Sequence, residues 1–173
     1  GDIVLVDRDC HKSHHYGMVL AGAQVSYLDS YPLNEYSMYG AVPLREIKHR
    51  LLELKAAGKL DRVRMLLLTN CTFDGLVYNV ERVMEECLAI KPDLIFLWDE
   101  AWFAFARFSP TYRQRTAMNA ANTLREKFKS DAHADAYEAQ QKTLKDADDE
   151  TLLNTRLIPP PHARVRAYAT QST

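Results

Sequence analysis

With 173 residues, 47% hydrophobic and 26% charged, the chain has enough apolar material for one domain with a substantial core. A formal net charge of −1 gives no basic field for nucleic acid, and no apolar run approaches the ~20 residues that span a bilayer. Three cysteines (Cys10, Cys71 and Cys87) are too few and scattered for a disulfide framework or a zinc knuckle, which points to a reducing cytoplasm.

Asp2 to Asp7 reads as a short β-branched strand from the outset, leaving no room for a signal peptide, and the chain looks cut from something longer. From Cys10 to Ala23, Tyr16, Val19, Leu20 and Ala23 recur at helical spacing, with Gly22 near the exit. Gln24 to Leu28 is a second strand. The stretch from Asp29 to Val42, with Pro32, Gly40 and several tyrosines, is expected to be a long functional loop. Pro43 opens a helix whose apolar face is Leu44, Ile47, Leu51, Leu52 and Leu54, and Gly58 ends it.

Val63 to Leu68 is a third apolar strand, running into the polar turn Thr69-Asn70-Cys71-Thr72-Phe73-Asp74-Gly75. Asn79 caps a helix with Val80, Val83, Met84, Cys87 and Leu88 on its apolar face. Leu94 to Trp98 is an unbroken apolar run, the signature of a strand buried on both faces, and Asp99-Glu100 follows at its carboxyl end. Strand and helix alternate throughout, which predicts an α/β fold with a mostly parallel sheet and flanking helices. In such sheets the chemistry lies beyond the carboxyl ends of the strands, where Asp99 falls. Ser109-Pro110 starts a further helix, expected over Tyr112 to Lys127. Ser130 to Glu150 is polar enough for a solvated helix or helix pair, Leu157 to His162 is a connector, and Ala163 to Thr170 alternates like a half-buried strand.

Asp7 to His15 is dense in ionisable groups and holds three imidazoles within five residues. His11 and His15, spaced i and i+4, could converge on a metal with Asp99 or Glu100, but no H-E-x-x-H or comparable pattern supports one, and no metal is expected. His14 and His15 fit exposed positions on a polar helix start, whereas His11 stands at the helix entrance beside the end of the first strand. The signatures G-x-G-x-x-G, G-x-x-x-x-G-K-[ST] and G-x-S-x-G are missing from the sequence.

Asp7-Arg8-Asp9-Cys10-His11-Lys12-Ser13, Thr69 to Gly75, Asp99-Glu100-Ala101-Trp102 with Phe108-Ser109-Pro110, and Ala169 to Thr173 occur in one order along the chain. Together they resemble the bacterial ornithine/lysine/arginine decarboxylases, pyridoxal-phosphate enzymes of the aspartate-aminotransferase fold. The resemblance implies the central part of the fold type I large domain, with strands in the spatial order 3-2-4-5-6. Residues 1–116 and 163–173 match the cofactor domain, and 117–162 form a long helical insertion or linker.

It further implies that His11 stacks on the pyridine ring and Asp99 pairs with the ring nitrogen. Ala101 packs beneath the ring, Thr72 belongs to the cofactor site, Ser172 contacts the phosphate, and Trp102 stands on the substrate side. In the family the Ser-Thr pair is followed by His and by the lysine that anchors the cofactor; the sequence stops at Thr173. The phosphate-cradling turn and the C-terminal domain are likewise not seen, so an internal piece of a larger decarboxylase is expected.

The implied partners are a basic amino acid, the remainder of the parent polypeptide, and further copies in a homodimer or higher homo-oligomer. No membrane or nucleic acid is expected. Rival readings are an aminotransferase-like enzyme on the same scaffold, a non-catalytic domain kept for assembly or regulation, and a metal-dependent hydrolase using His11, His15 and Asp99. Decarboxylation leaves a carbanion that a protonated pyridine ring can stabilise, and a carboxylate at the ring nitrogen favours that protonated form. At ~4 Å and an effective dielectric near 20, the attraction is about 4 kcal/mol before desolvation.

Overall fold

The computed structural model describes residues 1–172; Thr173, half of the terminal Ser-Thr pair, lies outside them. Five strands form one parallel sheet: β1 (Ile3–Asp7), β2 (Gln24–Leu28), β5 (Val63–Thr69), β6 (Ile95–Asp99) and β7 (Arg166–Thr170), in the order β2-β1-β5-β6-β7. This is the 3-2-4-5-6 order expected from the resemblance, with β1 counted as its strand 2. Parallel neighbours need crossovers, and α1 (Lys12–Ala21), α2 (Leu44–Ala56), α3 (Val80–Ile90) and α5 (Ala117–Lys127) supply them.

Side chains alternate across the sheet and so divide the core in two. Leu5, Leu66, Leu68, Phe96 and Trp98 point to the face covered by α2, α3 and α5, where Ile47, Leu51, Met84, Leu88, Ala121 and Leu124 join them in one buried cluster. Val4, Val6 and Leu67 point the other way and meet Cys10 and Met18 beneath α1. Expecting β6 to be buried on both faces is therefore only half right. Phe96 and Trp98 are buried, but Ile95 and Leu97 are half-buried, because among the described residues α1 is the one sheet-packed helix on their side. The apolar residues that announced α1 also turn outward: Val19 is 78% exposed and Leu20 88%.

Two segments depart from expectation. The stretch from Asp29 to Val42 is not a bare loop but holds a short antiparallel ribbon, β3 (Pro32–Leu33) with β4 (Met38–Tyr39), around a 3-10 turn. The helix expected over 112–127 is broken into α4 (Pro110–Arg113) and α5. Two buried polar side chains explain the break: Asn70 Nδ2 donates to the Arg115 carbonyl, and Glu100 Oε1 accepts the first amide of α5, Ala117 N–H, at 2.7 Å.

Beyond α5, α6 (Asp131–Thr143) and α7 (Asp149–Asn154) are mostly exposed, as their composition requires. They are nonetheless fastened down. His133 stacks on Phe128 and donates to the Pro159 carbonyl, while Lys48 of α2, fully buried, bonds both Glu86 of α3 and the Thr155 carbonyl. Glu85 receives Lys127 and Arg156. No helix among the described residues is long and apolar enough to cross a membrane.

Candidate active site

The register pairs Thr69 with Asp99 and Asp99 with Thr170, so the last residues of β5, β6 and β7 stand side by side at the carboxyl edge of the sheet. A cleft of about 680 Å³ opens there, and His11, Thr72, Asp99, Ala101, Trp102 and Ser172 all line it. The residues singled out from sequence are thus brought to one place from three loops and the chain's last described segment. Their separations along the chain, up to 161 positions between His11 and Ser172 (172 − 11), are closed by the parallel order of the strands.

Asp99 is the centre of the geometry. It is buried, and its Oδ1 accepts the Ala101 amide at 3.1 Å and the Thr170 hydroxyl at 3.0 Å. Its Oδ2 accepts from His14 Nε2 at 2.7 Å. The His14 bond is the main influence holding this carboxyl below its ordinary range; burial opposes it, and the Ala101 and Thr170 bonds reinforce it. An ionised carboxylate only accepts, so His14 carries its proton on Nε2.

His14 corrects the sequence reading, which set it among exposed histidines: its side chain is 12% exposed and closes on Asp99. The signal was the spacing, because His14 follows His11 by three positions and so shares its helix face. Thr170 could not have been found from spacing alone, since only strand register places its hydroxyl at Asp99.

His11 is the N-cap of α1: with φ −60° and ψ 140°, its Nδ1 accepts the Ser13 amide. Its ring is exposed on the cleft side, and Nδ1 also lies 2.8 Å from the Ser13 hydroxyl. His15 lies 3.5 Å from the Cys10 thiol and 3.3 Å from the Tyr27 hydroxyl, not beside His11. Among the described residues no group of three or more His, Cys, Asp or Glu side chains could hold a metal ion.

The turn after β5 bends through Cys71 at φ 72°, a left-handed conformation that costs a non-glycine residue about 1–2 kcal/mol. The Leu76 carbonyl holds it by accepting the amides of both Cys71 and Thr72. Thr72 Oγ1 accepts the Leu76 amide, and the bent turn brings Phe73 edge-on to Trp102, ring centres 5.0 Å apart, at the cleft mouth. Ala101 holds both ends of the site, donating to Asp99 and offering its carbonyl to the Ser172 amide at 3.4 Å.

Burial raises the Asp7 carboxyl despite bonds from Asp9 N–H and the Ser30 hydroxyl, and it pushes the Cys10 thiol up to about 11, which keeps Cys10 protonated and inert. Thr69 Oγ1 is buried beside Asp99 and lines the cleft without a hydrogen-bond partner among the described residues.

A family model described as the Orn/Lys/Arg decarboxylase major domain matches residues 1–134. The lysine decarboxylase LdcA of Pseudomonas aeruginosa is 34% identical over 128 residues, covering 70% of this chain and 17% of that protein. The biodegradative arginine decarboxylase of Escherichia coli K12 is 34% identical over 124 residues, 68% of this chain and 16% of that protein. The chain thus matches about one sixth of the length of these relatives. Among solved structures, an archaeal O-phosphoseryl-tRNA(Sec) selenium transferase shares the fold with a TM-score of 0.50 at 15% identity, over 69% of this chain and 25% of that one.

Proposed function

Because the chain belongs to the Orn/Lys/Arg decarboxylase major-domain family, we propose that it forms the ring-binding part of a pyridoxal-phosphate site in a decarboxylase of basic amino acids. The carrying observation is the ionised Asp99 carboxylate, fixed by Ala101, Thr170 and His14 at the carboxyl end of β6. The donor set fits the cofactor. Asp99 Oδ2 makes a single bond and keeps acceptor capacity for a pyridinium N–H, and the unpartnered Thr69 hydroxyl offers a further polar contact in the cleft.

In this reading Asp99 would hold the ring nitrogen and His11 would lie against the ring face. Ala101, Thr72 and Ser172 would complete the cofactor site, Ser172 toward the phosphate. When bound, the group supplies an electron sink for the carbanion left by loss of carbon dioxide. The protein's part is to keep a negative charge fixed at the ring nitrogen, which favours the protonated ring. Trp102, 64% exposed and braced by Phe73, stands where a substrate would enter.

The identities of both relatives favour lysine or arginine as substrate, with ornithine as the third member of the class and a diamine or agmatine, a polyamine precursor, as product. We extend the reading to a cytoplasmic homo-oligomer. Three free cysteines support a reducing compartment, and the outward Val19 and Leu20 support further protein, from the same polypeptide or a second copy, over α1. The test is to mix the full-length protein that contains this chain with pyridoxal phosphate, follow the visible absorption, and measure carbon dioxide from lysine, arginine and ornithine separately. A cofactor band with release from at least one substrate is expected. A band with transamination instead of carbon dioxide release would overturn the decarboxylase assignment, and no band would overturn the cofactor.

A further inference from the structure

We propose that His14 is a positioning residue for Asp99: its Nε2–H holds Oδ2 in place so that the ionised carboxylate stays aimed at the ring nitrogen of the cofactor. The inference rests on the cofactor reading above. The 2.7 Å bond joins α1 to β6 across 85 positions, and both side chains are withdrawn from water, at 12% and 10% exposure. Keeping an imidazole–carboxylate pair out of water costs desolvation that an apolar contact would avoid, so a mere staple between α1 and the sheet would be poorly served by it. Met18 already provides that apolar staple.

The chemistry of the donor matters as much as its position. Among the described residues lining the cleft there is no Lys or Arg; besides Asp99 and His14 its titratable groups are the carboxyls of Asp7, Asp9 and Asp74, the thiols of Cys10 and Cys71, the Tyr39 phenol and the His11 imidazole. The imidazole donates Nε2–H to Oδ2 from a short, rigid side chain, and this one bond leaves further acceptor capacity on Oδ2 for the ring nitrogen. With Ala101 and Thr170 on Oδ1, the His14 bond completes a three-point hold on the carboxylate from three separate segments.

The experiment compares His14→Leu and His14→Gln with wild type in the full-length protein loaded with pyridoxal phosphate. Cofactor affinity, the pH profile of its visible absorption, kcat and KM are read separately. In His14→Leu the cofactor Kd should rise about tenfold, the 1.4 kcal/mol of one positioned hydrogen bond. Its pH profile should shift and kcat should fall while KM for the amino acid holds. His14→Gln keeps an N–H donor and should recover most of both losses. Wild-type protein that fails to bind the cofactor would sink the underlying cofactor reading and this inference with it. Wild-type binding with an unchanged profile and Kd in His14→Leu would overturn the positioning role alone. Equal losses in both variants, with equally lowered unfolding midpoints, would make His14 a structural part of α1 and overturn it as well.

Discussion

At the scale of single residues, Asp99 and Glu100 are neighbours with opposite electrostatics. Asp99 is pulled below its ordinary value, chiefly by His14, whereas burial pushes Glu100 above its own. Asp99 therefore contributes stability that is present above the unfolded value of about 3.9 and lost as pH falls through the lower folded value. Asp99→Asn should flatten the acid limb of a urea-unfolding series below about pH 4. In the full-length enzyme the same change removes the charge at the ring nitrogen, and kcat should fall by roughly a hundredfold or more, about 2.7 kcal/mol. Turnover near wild type would show that Asp99 is not the pyridinium partner. Glu100 runs the other way: its ionised form is disfavoured by folding, and the penalty grows as pH rises past the unfolded value. Because Oε1 is an acceptor for Asn70 Nδ2 and Ala117 N–H, Glu100→Gln keeps both bonds and should be neutral or stabilising at pH 7 by thermal melting. Glu100→Ala strands two buried donors and should cost about 2–4 kcal/mol.

At the scale of elements, the ion-pair cluster behind the sheet decides how the segment after α5 behaves. Lys48 is held by Glu86 at 2.7 Å and by the Thr155 carbonyl at 2.8 Å, and Arg82 bonds the other oxygen of Glu86. Removing Lys48 leaves Glu86 buried with a half-exposed partner and frees the chain at Thr155. Lys48→Met should thus cost about 3 kcal/mol or more in denaturant unfolding. It should also speed hydrogen exchange in α7 more than in α3. In the unaltered protein, amides of β6 should exchange more slowly than those of α6, because β6 is paired on both sides within the sheet and α6 is mostly solvated. Equal protection of the two would mean that other protein covers α6.

At the scale of the whole molecule, two apolar surfaces lack cover among the described residues: the outer face of α1, and the sheet face that carries Ile95, Leu97 and the 60% exposed Tyr168. Local chemistry in the sequence determined much of the architecture. Apolar runs marked β1, β5 and β6, Asn79 and Pro43 marked helix starts, and strand–helix alternation gave a parallel sheet. It also placed Asp99 at a strand's carboxyl end and, by motif, gathered His11, Thr72, Ala101, Trp102 and Ser172 as candidates for one site. What sequence could not decide were features made by groups distant along the chain. Periodicity marks a helix's apolar stripe but not what covers it, so Val19 and Leu20 recur at helical spacing and yet stand in solvent. The break before α5 follows chiefly from Asn70 and Glu100 taking backbone groups at Arg115 and Ala117; within the segment itself the local signal is Thr116 at the N-cap, whose hydroxyl bonds back to the Arg113 carbonyl. The three-point hold on Asp99 likewise exists only after folding, because strand register brings Thr170 alongside and the packing of α1 on the sheet turns His14 inward. Hydrogen bonds over such separations depend on Ångström-scale placement, which only the packed sheet and helices provide.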